Sequence, residues 1–237
     1  FHIAGYGQPS KFIRNKKATY NLNSSVIAKL QNNLNTKGKF IYLSTSEIYS
    51  GNINKCNESS IGVTGPFHPR SVYIDSKKFG ESFIINMFSN FLIFRVSLTY
   101  GHGVKMNDER VLNQVIMRSI FKKKIDIYGG LKQLRSNLFI DDAILMIIKS
   151  ISKSKNQIFN LNNHKFDFLE KTFKLIAKIS NKTLNNHISK ISGSPKIIKV
   201  SNAKILKLLN YKISTNLNDG IVKTRKWYVH LSNYYKL

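Results

Sequence analysis

Tyr73 and Lys77 stand four positions apart in SVYIDSKKFGES, residues 71–82, a stretch that reads as the start of an amphipathic helix. Residues i and i+4 share a helix face, so the Lys77 ammonium would stabilise a phenolate at Tyr73 and draw its pKa below the usual value of about 10. A tyrosine tuned in that way is a general base for a sugar or alcohol hydroxyl. The spacing also occurs on ordinary solvated helix faces, so its meaning depends on what else the chain brings to the same place. Ser44, Thr45, Ser46 and Glu47 close a short apolar run with three hydroxyls and a carboxylate. Arg135 offers a planar guanidinium, which suits a carboxylate bidentately.

Elements must bring these groups together. FHIAG at 1–5 reads as a buried strand, and a helix-compatible stretch runs from Ala18 through Leu34, with Val26, Leu30 and Leu34 at four-residue spacing. KFIYLSTS at 39–46 is a β-branched and aromatic run, and Gly51 to Pro69 is a loop rich in Gly, Asn, Ser and Pro. The Tyr73 helix and the strand FLIFRVS at 91–97 follow. Strand, helix, strand, helix, strand implies a parallel sheet with helices on its faces. Ligands in such sheets sit beyond the carboxyl ends of the strands, which puts STSE and LTYGHG, residues 98–103, on the ligand side. Further on, the pattern predicts a helix from about Arg110 to Lys123 and a short IDIYGG segment. A strand then passes into a helix over SNLFIDDAILMIIKSI, with Asp141 and Asp142 in the first turn, where carboxylates suit the dipole. QIFNLNN at 157–163 reads as strand and turn; residues from about 164 to 237 read as helical and Lys-rich, with a loop at SGSP, 192–195.

At 237 residues, 42% hydrophobic and 11% aromatic, the composition is globular and suits one domain or two small ones. The longest apolar region, from Phe83, is broken by Asn86, Ser89, Asn90 and Arg95 and falls short of the roughly 20 residues of a membrane span. A soluble protein with no membrane partner is expected. The opening residues do not read as a secretory leader. The single cysteine, Cys56, excludes an internal disulfide and a Cys-clustered zinc site, so no metal and a cytoplasmic location are expected. A net charge of +26, from 38 Lys and Arg against 12 Asp and Glu, makes nucleic acid a partner to weigh. The basic residues are scattered along the whole chain, in company with the Asn and Ile that an AT-rich genome favours, and no nucleic-acid-binding motif accompanies them. An anionic small substrate is the better expectation.

Six segments, FHIAG, YLSTSEIYS, YIDSK, FRVSLTYGHG, LRSNLFIDDAI and IFNLNN, resemble in that order the motifs of one family. It is the extended short-chain dehydrogenases/reductases of the NAD-dependent epimerase/dehydratase group, which act on nucleotide sugars. The resemblance implies an α/β fold: an N-terminally truncated, Rossmann-like doubly wound parallel sheet with a smaller C-terminal α/β lobe. Residues 1–103 and 127–160 would form a partial NAD-binding domain, and 104–126 with 161–237 the substrate lobe. NAD is the implied cofactor, held near Ala4, Ser44, Tyr73 and Lys77. A nucleotide sugar is the implied substrate, and a homodimer through a four-helix bundle that includes the Tyr73 helix is the implied assembly.

Within the family the chain is similar to UDP-glucuronate decarboxylases, through Ser-Thr-Ser-Glu at 44–47, Arg-Ser-x-Tyr at 70–73, RVLNQV from Arg110 and Gln-x-Arg-Ser at 133–136. The 4,6-dehydratases have an aspartate at the place of Ser46 that expels water, so Ser46 argues against dehydration. The resemblance implies that Tyr73, held by Lys77 and near Thr45, takes the sugar 4-hydroxyl proton while a hydride leaves C4 for NAD+. A 4-keto glucuronate is a β-keto acid and loses carbon dioxide. Glu47, Ser46 and Arg135 match positions that handle the carboxylate and the C5 proton, and Arg70, Arg110 and Arg135 are implied substrate contacts, the first two at the diphosphate. A 4-epimerase or 4,6-dehydratase is the alternative within the family. A truncated, inactive homologue is another, against which stands the intact quartet Thr45, Glu47, Tyr73 and Lys77.

The chain departs from the family pattern in places. GYGQPS at 5–10 is not the glycine-rich turn that cradles a pyrophosphate at a helix N-terminus. That turn would lie upstream of Phe1, and the natural product is expected to extend there. Leu98 replaces an asparagine that contacts the nucleotide sugar, His102 a proline and Ser50 a glycine. His2 reads as a strand residue packed near the cofactor.

Overall fold

The computed structural model describes residues 1–34, 37–52, 54–128, 131–187 and 194–235. In chain order the elements are α1 (Pro9–Arg14), α2 (Lys16–Asn23), α3 (Ser25–Asn32), β1 (Phe40–Thr45), β2 (Lys55–Cys56), α4 (Ser71–Met87), β3 (Phe91–Val96) and β4 (Leu98–Tyr100). Then come α5 (Val111–Phe121), β5 (Lys124–Tyr128), β6 (Leu134–Arg135), β7 (Asn137–Phe139), α6 (Ile140–Lys153) and β8 (Gln157–Leu161). The rest are β9 (Asp167–Phe168), α7 (Leu169–Ser180), β10 (Thr183–His187), β11 (Lys199–Val200), α8 (Ala203–Leu209) and α9 (Leu217–Tyr235).

Three strands that read as apolar runs make the central parallel sheet, in the order β1-β3-β8. Phe40 to Thr45 pair with Phe91 to Val96, and Leu92 to Val96 with Gln157 to Leu161. Continuous apolar runs belong in a sheet covered on both faces. One face packs Ile27, Tyr42, Ile84, Phe88 and Ile93 beneath α3 and α4. The other packs Ile41, Leu92, Phe94, Met146 and Ile205 beneath α6 and α8. A separate core of Leu112, Ile116, Ile125, Phe173, Ile176 and Tyr228 joins α5, α7, α9 and β5. No helix among the described residues is long and apolar enough to cross a membrane.

Four expectations change. FHIAG is not a full strand: His2 alone bridges Tyr42, its N–H donating to the Ile41 carbonyl at 2.7 Å. The chain then leaves the sheet through Gly5 and Gly7 and enters α1 at Pro9, a first-turn position where the missing N–H costs nothing. The helix expected over Ala18–Leu34 is two helices broken at Ser24, whose hydroxyl donates to the Tyr20 carbonyl; such back-bonding competes with the helical ladder. The stretch read as helical beyond residue 164 also holds β9, β10 and β11. β10 is the polar run TLNNH, paired in parallel with β5, while β9 and β11 have two residues each, too few to show a period. Asp142 does more than face a helix dipole. It is fully buried and accepts from the Tyr211 hydroxyl at 2.6 Å and from the Ser214 and Thr215 N–H groups, which anchors the approach to α9. Of the remaining readings, Gly129, Gly130 and residues 192 and 193 lie outside the described residues.

α4 is the element that positions the chemistry. It lies so close to α2 that a Cβ at Gly80 would stand 2.5 Å from the Asn23 carbonyl oxygen and 2.7 Å from the Tyr42 hydroxyl. Only glycine permits that approach. Asn23 Nδ2 donates to Ser76 Oγ at 3.1 Å across the same contact.

Candidate active site

A cavity of about 710 Å³ opens at the carboxyl ends of β1 and β3. Ser44, Thr45, Ser46 and Glu47 form one part of its wall, Tyr73 and Lys77 from α4 a second, and Arg110 and Arg135 a third. Ile140, Ala143, Ile144 and Ile147 of α6 give it an apolar side. Of the residues read from sequence as a site, Ala4 and Arg70 do not line it. Ala4 is exposed between the lining residues Ile3 and Gly5, and Arg70 is buried outside the wall.

Tyr73 is 8% exposed and its ring lies 4.2 Å from that of Phe12, with planes within 4°. Lys77 donates to the Leu43 carbonyl at 2.7 Å, and its Nζ sits 4.6 Å above the Tyr42 ring. Burial lowers Lys77 from 10.5 to about 8, and Glu81 opposes the shift. The expectation of a lowered Tyr73 is reversed. Burial, reinforced by the Glu47 charge, holds the phenol above its usual value, while a hydrogen bond with Thr45 and the charge of Arg70 pull the other way. The desolvation of a fully enclosed phenol outweighs what two partners return.

Glu47 follows β1, where Thr45 Oγ1 accepts from its N–H at 3.2 Å. Its Oε1 meets Arg70 Nη1 at 2.5 Å, and its Oε2 is buried with no protein partner. Ser44 donates to Glu81, whose carboxylate also takes Arg95 Nη2 at 2.6 Å; Arg95 in turn donates to the Tyr49 hydroxyl. Arg135 donates to the carbonyls of Leu134 and Pro195 and to Gln133 Oε1 and Ser194 Oγ. Burial lowers it to about 10, with Glu47 opposing and Arg70 assisting. Arg110 grips Asp108 through Nε and Nη2 at 3.0 and 2.8 Å at the start of α5.

Phe12, Glu81, Arg95 and Asp108 escaped the sequence reading. Glu81 was within reach of it, because the step of four from Tyr73 to Lys77 continues to residue 81 on the same helix face. Phe12 carried no signal, since nothing local ties α1 to α4. Asn23 Oδ1 is buried without a partner, and a Cβ at Gly5 would stand 3.3 Å from it and 3.8 Å from Lys77 Nζ. A lining glycine beside Lys77, in a cavity with one apolar side, suits a group with a planar ring and hydroxyls.

The model of the NAD dependent epimerase/dehydratase family matches residues 1–161. The chain belongs to that family. Among curated relatives of this epimerase/dehydratase chain, UDP-glucuronic acid decarboxylase 1 of Danio rerio is 20% identical over 235 residues, 96% of this chain and 56% of the relative. The dTDP-D-glucose 4,6-dehydratase of Homo sapiens is 27% identical over 203 residues, 80% of this chain and 56% of the relative. The chain thus spans a little over half the length of these relatives. Among solved structures, a UDP-glucuronic acid 4-epimerase from Bacillus cereus, in complex with UDP-glucuronic acid and NAD, superposes with a TM-score of 0.84 at 22% identity. It is matched over 98% of this chain and 75% of its own. The shared Rossmann-like fold is what that likeness establishes.

Proposed function

We propose that the protein is an NAD-dependent nucleotide-sugar enzyme that works through a 4-keto intermediate, most like a UDP-glucuronate decarboxylase. The observation that supports this reading is the convergence of Thr45, Ser46, Glu47, Tyr73, Lys77 and Arg135 on one cavity. Ser44, Tyr73 and Lys77 would hold the NAD, without the Ala4 that the motif resemblance implied. Bound there, NAD+ would supply reversible hydride transfer at C4 of the sugar. Tyr73 takes the 4-hydroxyl proton as general base. Thr45 and Arg70 oppose part of the burial that disfavours its ionised form. Glu47, a lining residue of the cavity, would hold or move a proton at C5 of the sugar. Arg135 and Ser46 orient the substrate carboxylate, and Arg110 reaches the diphosphate. Residues 1–103 with 127–160 serve the cofactor, and 104–126 with 161–237 the substrate. Ser46 keeps dehydration the weaker alternative, because a hydroxyl cannot play the acid that expels water at neutral pH.

The test is incubation of the full-length protein with NAD+ and UDP-glucuronate, followed by NMR of the sugar products. Release of carbon dioxide with formation of a UDP-pentose supports the proposal. An epimerised glucuronate would move the assignment to 4-epimerisation, and no product from any of UDP-glucuronate, UDP-glucose and dTDP-glucose would mark an inactive homologue. A homodimer belongs to the same reading: α4 exposes Phe79, Ile85 and Met87, with Tyr20 and Leu30 exposed on α2 and α3. Light scattering should find a dimer that Phe79→Asp dissociates.

A further inference from the structure

We infer that Arg70 is a positioning residue that joins the general base to the acidic group of the site, and is not a ligand for the substrate phosphates. The inference rests on the reading of Tyr73 and Glu47 as the reacting groups. Arg70 is the N-cap residue of α4, three positions before Tyr73, which places it beside that ring on the first turn. Its guanidinium uses two kinds of surface at once. In its plane, Nη1 meets Glu47 Oε1 at 2.5 Å; through its face, its carbon lies 5.5 Å from the centre of the Phe12 ring. Phe12, itself 2% exposed, is stacked on Tyr73. The order is therefore Glu47, Arg70, Phe12, Tyr73, with the first residue after β1, the third on α1 and the second and fourth on α4.

Each link in that order limits a freedom that matters for proton transfer. The ion pair occupies one oxygen of Glu47 and leaves Oε2 as the acceptor without a protein partner. The stack fixes the plane of the Tyr73 ring, and so the direction in which its hydroxyl points. The cation also counters the Glu47 charge that acts on Tyr73. A planar guanidinium can pair in its plane and stack through its face together, and an ammonium cannot. A phosphate contact would require Arg70, 4% exposed and absent from the cavity wall, to leave both partners.

The test compares full-length wild type with Arg70→Lys, Arg70→Met and Phe12→Leu, in the presence of NAD+ and UDP-glucuronate. Calorimetry measures the affinity for UDP, kinetics measure kcat and its pH profile, and circular dichroism checks folding. A positioning role predicts UDP affinity within about twofold of wild type and kcat lowered about thirtyfold or more in Arg70→Lys, with Arg70→Met lower still. It also predicts that the rise of kcat with pH moves upward by about half a unit or more in Arg70→Met, since Tyr73 then faces Glu47 without the cation. Phe12→Leu should lower kcat with UDP affinity unchanged. Loss of UDP affinity by about tenfold with kcat intact would make Arg70 a phosphate ligand. Variants that melt earlier but keep wild-type kcat and pH profile would reduce it to an anchor for α4. Wild type that turns over while the variants match it overturns this inference alone; wild type without turnover overturns the reading of the site and this inference with it.

Discussion

The sheet region and α7 in the C-terminal part both contain ion pairs, built in opposite ways. Beneath the cavity, Glu81 and Arg95 meet with side chains 5% and 9% exposed, and three further groups share their hydrogen bonds: Ser44, Tyr49 and the Glu58 carbonyl. At the start of α7, Lys171 pairs with Asp167 of β9 and Lys174 with Glu170, each at a spacing of four, with both lysines mostly in water. An exposed pair gains little over solvation, so α7 is held by Leu169, Phe173 and Ile176 beneath it. A buried pair is costly to assemble and costly to break, since the partner left behind is a charge without solvent. Charge thus organises the side of the molecule where chemistry is proposed, and apolar burial organises the other.

Five measurements would break or sharpen that contrast. The largest effect is expected of Tyr73→Phe, which should lower turnover of the full-length protein by about a thousandfold and leave its melting temperature nearly unchanged. Next, Glu81→Gln should cost about 3–5 kcal/mol in urea unfolding by stranding Arg95. Phe173→Ala should lose a similar amount, about 3–5 kcal/mol, through a cavity. If Glu81→Gln proves nearly neutral, the buried network is not what holds the sheet region.

Lys77→Met tests the burial of a charge directly. Lys77 is lowered from 10.5 to about 8, so between those values the unfolded chain binds more protons than the folded one. Stability therefore rises with pH across that window. Below pH 8 the buried ammonium is a liability that Met removes, and the advantage of Lys77→Met should shrink as pH rises from 8 to 10.5. A constant difference across that range would mean that the Leu43 carbonyl fully replaces the lost water. The smallest effect belongs to Lys171→Ala, at about 0.5 kcal/mol or less and fading further in salt.

Much of this was legible without coordinates. β1, β3 and β8 announce themselves because a strand buried on both faces must be apolar throughout. The helices α4, α5 and α6 follow from periodicity, and Ser44 to Glu47, Tyr73, Lys77 and Arg135 from motifs that match one family. The two-residue strands were not legible, because pairing β2 with β11 and β6 with β9 depends on partners more than 30 residues away. Nor was the break at Ser24, where the backbone leaves the helical region and the hydroxyl turns back to the Tyr20 carbonyl.

The sequence by itself determined the fold family, the central strands and several of the polar groups that the cavity gathers, because each is written in local pattern and residue type. Tertiary structure alone decided their states. Tyr73 is raised and not lowered because of how completely it is enclosed; Arg70 turns to Glu47 and Phe12 because α1 and the end of β1 arrive beside it. Burial and charge neighbours are sums over everything that packs around a group, and no window of sequence contains that sum.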